Sequence, residues 1–174
     1  APLYQTATTG LHPEQLFDGT PIFLPNHLPT PVQRAIDREN VWLPYHQKIQ
    51  TTLAELKKQF GYVILFDAHS IASQIPRLFT GQLPDLNLGT NDGKSCSAII
   101  AEQLTNACHS QSQFSWVING RFKGGYITRT YGQPDQQQHA VQLELAQQNY
   151  MDEHAPYAWN QTQAETLRPQ LMSL

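Results

Sequence analysis

The sequence predicts an α/β domain in which helices cover a largely buried sheet. Helical periodicity at 31–60 precedes an apolar run at 62–66, and a second helix from 95 precedes strands at 114–118 and 139–147. Alternation of this kind is typical of layered α/β folds. With 174 residues, the chain fits one domain, 1–174, that can bury a sizeable core.

The first half of the chain contains a turn-rich segment, a long helix and a strand. Glycines and prolines punctuate 1–31. Apolar residues then recur every three or four positions and predict one amphipathic helix, which Pro44 kinks or restarts and Gly61 ends. The run "YVILF" at 62–66 has the length and β-branched content of a buried strand, and a loop follows to about residue 94.

The second half adds a helix, two strands and a helical tail. Ser95 can cap the helix, whose inner face is predicted to carry Ile99, Ile100, Leu104 and Cys108. "FSWVI" at 114–118 is a strand, and "HAVQLELAQ" at 139–147 alternates cleanly between apolar and polar residues. The tail "QAETLRPQLMSL" is helical up to the region of Pro169.

Composition excludes several classes of protein. The formal net charge is −3, without the basic cluster that nucleic-acid or membrane binding needs. Cys96 and Cys108 are predicted to lie on one helix, too far apart for a disulfide, and without a CxxC pair a thiolate zinc site is not expected. Two unpaired thiols, no long apolar span and no signal peptide favour a cytoplasmic protein.

Asp67 and His69 are the first candidate site residues, because they follow a buried strand. On an extended chain the two side chains point to the same side, where the carboxylate can fix the imidazole tautomer beside a metal ion. A general base, a structural histidine, and an Asp67 that is itself a ligand or a loop cap are the alternatives. Ser70 points to the opposite face, which argues against a Ser–His pair.

Glu144 is the second candidate, and alternation places it on a strand face shared with Gln142. That face could simply be solvated. The functional alternative is a carboxylate that takes a proton from a metal-bound water, whose pKa falls to about 7 on zinc.

The stretch "NGRFKGGYITRTYG" carries three cations, Arg121, Lys123 and Arg129, around a Gly-Gly pair. Arginine suits bidentate binding of carboxylates, so the stretch could recognise an anionic substrate. A charged hairpin is the alternative. The residues of this stretch do not identify the substrate.

Five stretches together resemble the N-formylglutamate amidohydrolase (N-formylglutamate deformylase) family: "TATTGLHPEQLFDGTPIFLP", "LFDAHSI", "PDLNLGTNDG", "NGRFKGGYITRTYGQP" and "HAVQLELAQQNYMDE". The resemblance implies a three-layer α/β fold of the phosphorylase/hydrolase type, similar to zinc carboxypeptidases, with a mixed sheet between helices. The implied reaction is the hydrolysis of N-formyl-L-glutamate to L-glutamate and formate in histidine degradation.

The resemblance also implies roles for individual residues. His69 matches a zinc ligand, Glu144 matches the general base and acid, and Asp67 would orient His69. Arg121 and Arg129 would face the two carboxylates of the substrate.

The family pattern begins with an earlier segment that supplies the other zinc ligands, and no stretch here matches it. The chain is therefore expected to represent the C-terminal two-thirds of the family domain, incomplete at its N-terminus. Alone it could be a non-catalytic piece that self-associates, or a module that binds acidic metabolites without chemistry.

Overall fold

The computed structural model describes residues 10–174, which divide into two compact units, one up to Gly61 and one from Tyr62. The first unit contains helices α1 (Pro31–Asp37) and α2 (Leu43–Phe60), with a π-helical turn at Arg38–Trp42 between them. The second contains β1 (Val63–Ile71), β2 (Leu86–Gly89), α3 (Ala98–His109), β3 (Trp116–Ile118), α4 (Tyr126–Tyr131), β4 (Gln138–Ala146) and α5 (Gln161–Ser173). The single domain over 1–174 stays a prediction.

Helix boundaries in the first unit follow local chemistry. Thr30 caps α1 by accepting a hydrogen bond from the Gln33 N–H at 3.2 Å. Pro44 lies in the first turn of α2, directly after the π-helical turn. Gly61 ends α2 with φ of +81°, a left-handed conformation that glycine adopts without steric cost. The predicted stop at Gly61 is confirmed. At Pro44 the helix does not restart, because the π-helical turn runs directly into α2 at Leu43.

The second unit is built on a mixed four-stranded sheet with the order β1-β4-β2-β3. β1 is parallel to β4, β2 is antiparallel to β4, and β3 is parallel to β2. Helices flank this sheet, and the α/β class is confirmed. β2 was not predicted, because a four-residue run with asparagine and glycine resembles a loop.

β1 differs from the prediction in length and in burial. The strand continues through Asp67 and His69 to Ile71 instead of ending at 66. It pairs only with β4 in the described sheet and forms an edge, so Ile64 and Phe66 are 45% and 42% exposed. The expectation of a fully buried strand was wrong, because one side of β1 has no neighbouring strand among the described residues.

The main hydrophobic core lies between the sheet and helices α3 and α5. Leu104 and Cys108 of α3 are buried there as predicted, whereas Ile99 is 71% exposed. Ser97, not Ser95, caps α3, so Cys96 precedes the helix instead of lying on it. Burial raises the pKa of both cysteine thiols, and neither cysteine forms a disulfide. α5 continues through Pro169 to Ser173.

No helix within residues 10–174 combines the length and the apolar character needed to cross a membrane.

Candidate functional site

The pairing of β1 with β4 brings the sequence-predicted acids and histidine together. His69 lies opposite Glu144, and Asp67 lies opposite Gln142. Directly paired residues of neighbouring strands point to the same face of a sheet. Four polar side chains therefore share one face, while the apolar residues of β4 point into the core behind it.

His69 is held by Asp67. The His69 Nε2 and Asp67 Oδ1 atoms are 2.9 Å apart, and the His69 side chain is 48% exposed. The hydrogen bond to Asp67 is the largest cause of a raised His69 pKa, which burial opposes and the charges of Asp67 and Glu144 reinforce. This bond occupies one ring nitrogen and leaves Nδ1 for another partner.

Glu144 lies in the sheet with only 8% of its surface exposed. The predicted alternative of a solvated strand face is therefore wrong, since Gln142 is also buried, with 6% exposed. Burial raises the pKa of Glu144, opposed by the positive charge of His69 and by a hydrogen bond from Gln142. A buried carboxyl group with a raised pKa is suited to accept and return a proton.

Gln142 is the polar residue of this face to which the sequence assigned no role. Its Nε2 donates to Glu144 Oε2 at 3.1 Å, and its Oε1 accepts from the Gly125 N–H at 2.5 Å. The period-2 spacing from Glu144 was the only sequence signal that could have identified it. Its second partner lies on a distant segment and could not be predicted.

Arg129 lies on α4 and is tied to the same network. Its Nη1 donates to the carbonyl of Gly124 at 3.0 Å, next to the glycine whose N–H binds Gln142. The alternative of a charged hairpin was wrong, because α4 (Tyr126–Tyr131) follows the Gly-Gly pair.

Arg121 and Lys123 lie on the segment that precedes α4. The Arg121 guanidinium donates to the Leu78 carbonyl and stacks over the Phe79 ring at 4.8 Å from its centroid. Lys123 Nζ lies 3.1 Å from an Asp92 carboxylate oxygen. Arg121 is thus attached to the loop that follows β1, and Lys123 to the loop that follows β2.

Asn119 follows β3 and does not lie beside His69 at one edge of the sheet. β3 runs opposite to β1, so the two carboxyl ends point in opposite directions. The Asn119 side chain instead stabilises the loop after β2, where Oδ1 accepts from the Thr90 N–H at 2.8 Å. Ser70 binds the Tyr150 hydroxyl at 2.7 Å, away from His69 as predicted.

The residues described, 10–174, contain no group of three or more His, Cys, Asp or Glu side chains that could hold a metal ion. Zinc requires three or four protein ligands, and His69 offers one imidazole nitrogen here. The described side chains alone therefore do not fit a complete zinc site.

Comparisons with known proteins relate the chain to a family. The family model for N-formylglutamate amidohydrolase matches residues 1–151. The N-formylglutamate deformylases of Pseudomonas aeruginosa and Pseudomonas putida are 53% and 49% identical over 99% of this chain. The chain spans 65% of the length of each of these relatives.

A solved structure supports the fold. The crystal structure of N-formylglutamate amidohydrolase from Ralstonia eutropha JMP134 matches with a TM-score of 0.81 at 21% identity, over 94% of this chain and 59% of that one. At this identity the likeness shows the fold alone, whereas the family model covers most of the sequence. The chain belongs to the N-formylglutamate amidohydrolase family.

Proposed function

We propose that the full-length protein hydrolyses N-formyl-L-glutamate to L-glutamate and formate. The observation that carries the proposal is the pairing of His69 with a buried Glu144 across two strands, in a chain of this family. The two Pseudomonas relatives, which are N-formylglutamate deformylases, support the choice of substrate.

Glu144 is the proposed proton carrier. It accepts a proton from the attacking water, whose oxygen forms a bond to the formyl carbon. It then gives that proton to the amide nitrogen as the C–N bond breaks, and the formic acid formed loses its remaining proton to solvent. The buried position of Glu144 supports this role, because a raised pKa brings the carboxyl closer to the pH at which it must exchange a proton.

Zinc is the proposed cofactor, with His69 as one ligand and Asp67 as the residue that orients it. The bond between Asp67 and one ring nitrogen supports the assignment, since histidine ligands commonly have such a partner on the nitrogen away from the metal. We propose that residues beyond these 174 supply the further ligands. Zinc content of the full-length protein, measured with and without His69→Ala, tests the assignment; equal content would contradict it.

Arg121 and Arg129 are the proposed partners of the two substrate carboxylates. Their guanidinium groups can bind a carboxylate bidentately, and Arg129 belongs to the hydrogen-bond network that reaches Glu144. Arg121 lies on the segment before α4 and donates to the Leu78 carbonyl in the loop that follows β1.

The test compares Glu144→Gln with wild type in the full-length protein. We expect formate release from N-formyl-L-glutamate to fall by at least about 100-fold, because general acid–base catalysis contributes roughly 10²–10⁴-fold. Zinc content should stay at the wild-type level. Glu102→Gln, at an exposed position of α3, is the matched control and should retain full activity. Near-normal turnover by Glu144→Gln would contradict the proposed role.

A second candidate is binding without chemistry by this stretch of 174 residues alone. It is favoured by the finding that the described residues contain no group of three metal-ligating side chains. Calorimetry of this chain with N-formylglutamate and glutamate, together with its zinc content, decides between the two. Binding without turnover supports this second candidate, and stoichiometric zinc with formate release overturns it.

A further inference from the structure

Gln142 connects the proposed base to the segment that carries Arg129. It lies in the middle of β4, between Asp67 of β1 and Gly89 of β2, and is 6% exposed. Its amide nitrogen contacts Glu144 and its amide oxygen contacts Gly125, so one side chain joins two parts of the site.

The orientation of the Gln142 amide is fixed by its partners. The Gly125 N–H can only donate, so it requires the amide oxygen of Gln142 on its side. The amide nitrogen must then face Glu144, where it donates to Oε2 at 3.1 Å. Glu144 therefore receives a hydrogen bond from a group that cannot rotate without breaking the contact with Gly125.

Glycines bring the Gly125 segment close enough for this contact. A Cβ atom on Gly89 would lie 2.6 Å from the Gly124 nitrogen, which is closer than atoms can approach. The absence of a side chain at Gly89 lets the chain before α4 pass directly over the sheet. A Cβ on Gly125 would lie 3.3 Å from the Gln142 Oε1 atom, a further sign of close approach.

The same segment also holds Arg129. The Gly124 carbonyl accepts a hydrogen bond from Arg129 Nη1 at 3.0 Å, one residue from the glycine bound by Gln142. The path Glu144–Gln142–Gly125–Gly124–Arg129 is continuous, and each link is either a hydrogen bond or a peptide bond.

We propose that Gln142 is a positioning residue that sets the geometry of Glu144 through its amide nitrogen and that of the Arg129 segment through its amide oxygen. This inference rests on the proposed function, since it treats Glu144 as the base and Arg129 as a substrate ligand. In this role Gln142 acts through Glu144 and the Arg129 segment and not on the substrate itself.

Two substitutions separate the two halves of this role. Gln142→Met keeps the length of the side chain and removes both hydrogen bonds. Gln142→Glu keeps an acceptor for the Gly125 N–H and replaces the donor to Glu144 by a carboxylate. Gln170→Met is the matched control, because Gln170 is a glutamine on α5 that is similarly buried, with 8% exposed.

The kinetic readout uses the full-length protein and formate release from N-formyl-L-glutamate. We expect Gln142→Met to lower kcat by roughly 10- to 100-fold, since a displacement of about 1 Å can cost that much, and to raise KM. Gln142→Glu should lower kcat with KM within about twofold of wild type. Gln170→Met should leave both constants unchanged. Wild-type kcat in Gln142→Met, or equal KM changes in both Gln142 variants, would overturn the inference.

Hydrogen exchange of the Gly125 amide provides a second readout that does not depend on turnover. Protection of this amide should fall in Gln142→Met and persist in Gln142→Glu and Gln170→Met. If wild type releases no formate, the proposed function fails, and the exchange data still decide whether Gln142 holds the segment. Unchanged protection in a folded Gln142→Met protein would contradict the positioning role.

Discussion

At the scale of single residues, the bond between Asp67 and His69 predicts a measurable effect on titration. Asp67→Asn should lower the His69 pKa toward its ordinary value of 6.5, because the hydrogen bond to Asp67 is the largest cause of the raised value. In the folded wild type the imidazole binds its proton more tightly than in the unfolded chain. The pair thus stabilises the fold below about pH 6.5 and loses this contribution as pH rises through the folded pKa.

NMR titration of the His69 ring in chelator-treated protein measures this effect. Asp92→Asn is the matched control, because Asp92 pairs with Lys123 on another loop. It should leave the His69 titration unchanged. A His69 pKa that is the same in wild type and in Asp67→Asn would show that the 2.9 Å contact does not persist in solution.

The residues of the site could be chosen from the sequence, but their grouping could not. Glu144 stands out because β4 alternates cleanly, and His69 stands out at the end of an apolar run. Their position opposite each other depends on strand register, a long-range property that local patterns do not encode. Gln142 was missed for the same reason, since its role depends on a glycine that lies 17 residues earlier in the chain.

At the scale of elements, Glu153 joins the loop that follows β1 to the loop that follows β4. Its Oε2 accepts from the Ser73 hydroxyl at 2.6 Å, and its Oε1 accepts from the N–H groups of Ser73 and Gln148 at 2.6 and 2.9 Å. Glu153→Gln replaces one carboxylate oxygen, which accepts a hydrogen bond, by an NH₂ group, which can only donate. That NH₂ group would then face an N–H or O–H group of Ser73 or Gln148. We expect the free energy of unfolding to fall by about 1–3 kcal/mol, the usual cost of leaving such a group unsatisfied.

Chemical denaturation of wild type and Glu153→Gln measures this change. Glu165→Gln on α5 is the control, because Glu165 is exposed and accepts only a local bond from Gln161 in the described structure. Its stability should stay within about 0.5 kcal/mol of wild type. A Glu153→Gln protein as stable as Glu165→Gln would show that the two loops are held by other contacts.

The elements themselves were predictable where a pattern was long or clean. β4 and α2 were found because many residues share one periodicity. β2 was not found, since four residues with Asn87 in the middle carry too little pattern. Asn87 is fully buried, because β2 pairs with a strand on each side. Its Nδ2 donates to the carbonyls of Pro84 and Glu144. The bond to Glu144 forms only in the folded sheet, so the sequence of β2 alone does not reveal it.

At the scale of the whole molecule, two buried histidines make stability depend on pH. His46 lies in the first unit and His139 in the second, and burial lowers the pKa of both. The unfolded chain therefore binds protons at these positions before the folded chain does. The unfolded chain has an ordinary histidine pKa of about 6.5. The folded protein therefore loses stability as pH falls from that value toward the lower pKa of the folded state.

His139 allows this expectation to be tested in the second unit. It is 5% exposed, and its Nδ1 has no hydrogen-bond partner within the described part of the chain, so protonation would place a poorly compensated charge inside. His139→Asn should reduce the loss of unfolding free energy between pH 7 and pH 5. One proton accounts for at most about 1.4 kcal/mol per pH unit.

Urea denaturation of wild type and His139→Asn across this pH range measures the difference in slope. His154→Asn is the matched control, since it removes a histidine at an exposed position, and it should keep the pH dependence of wild type. Because the slope is compared within each protein, a lower absolute stability of His139→Asn does not obscure the result. Parallel slopes for wild type and His139→Asn would contradict the expectation, because they would mean that the folded and the unfolded chain bind a proton at His139 equally well.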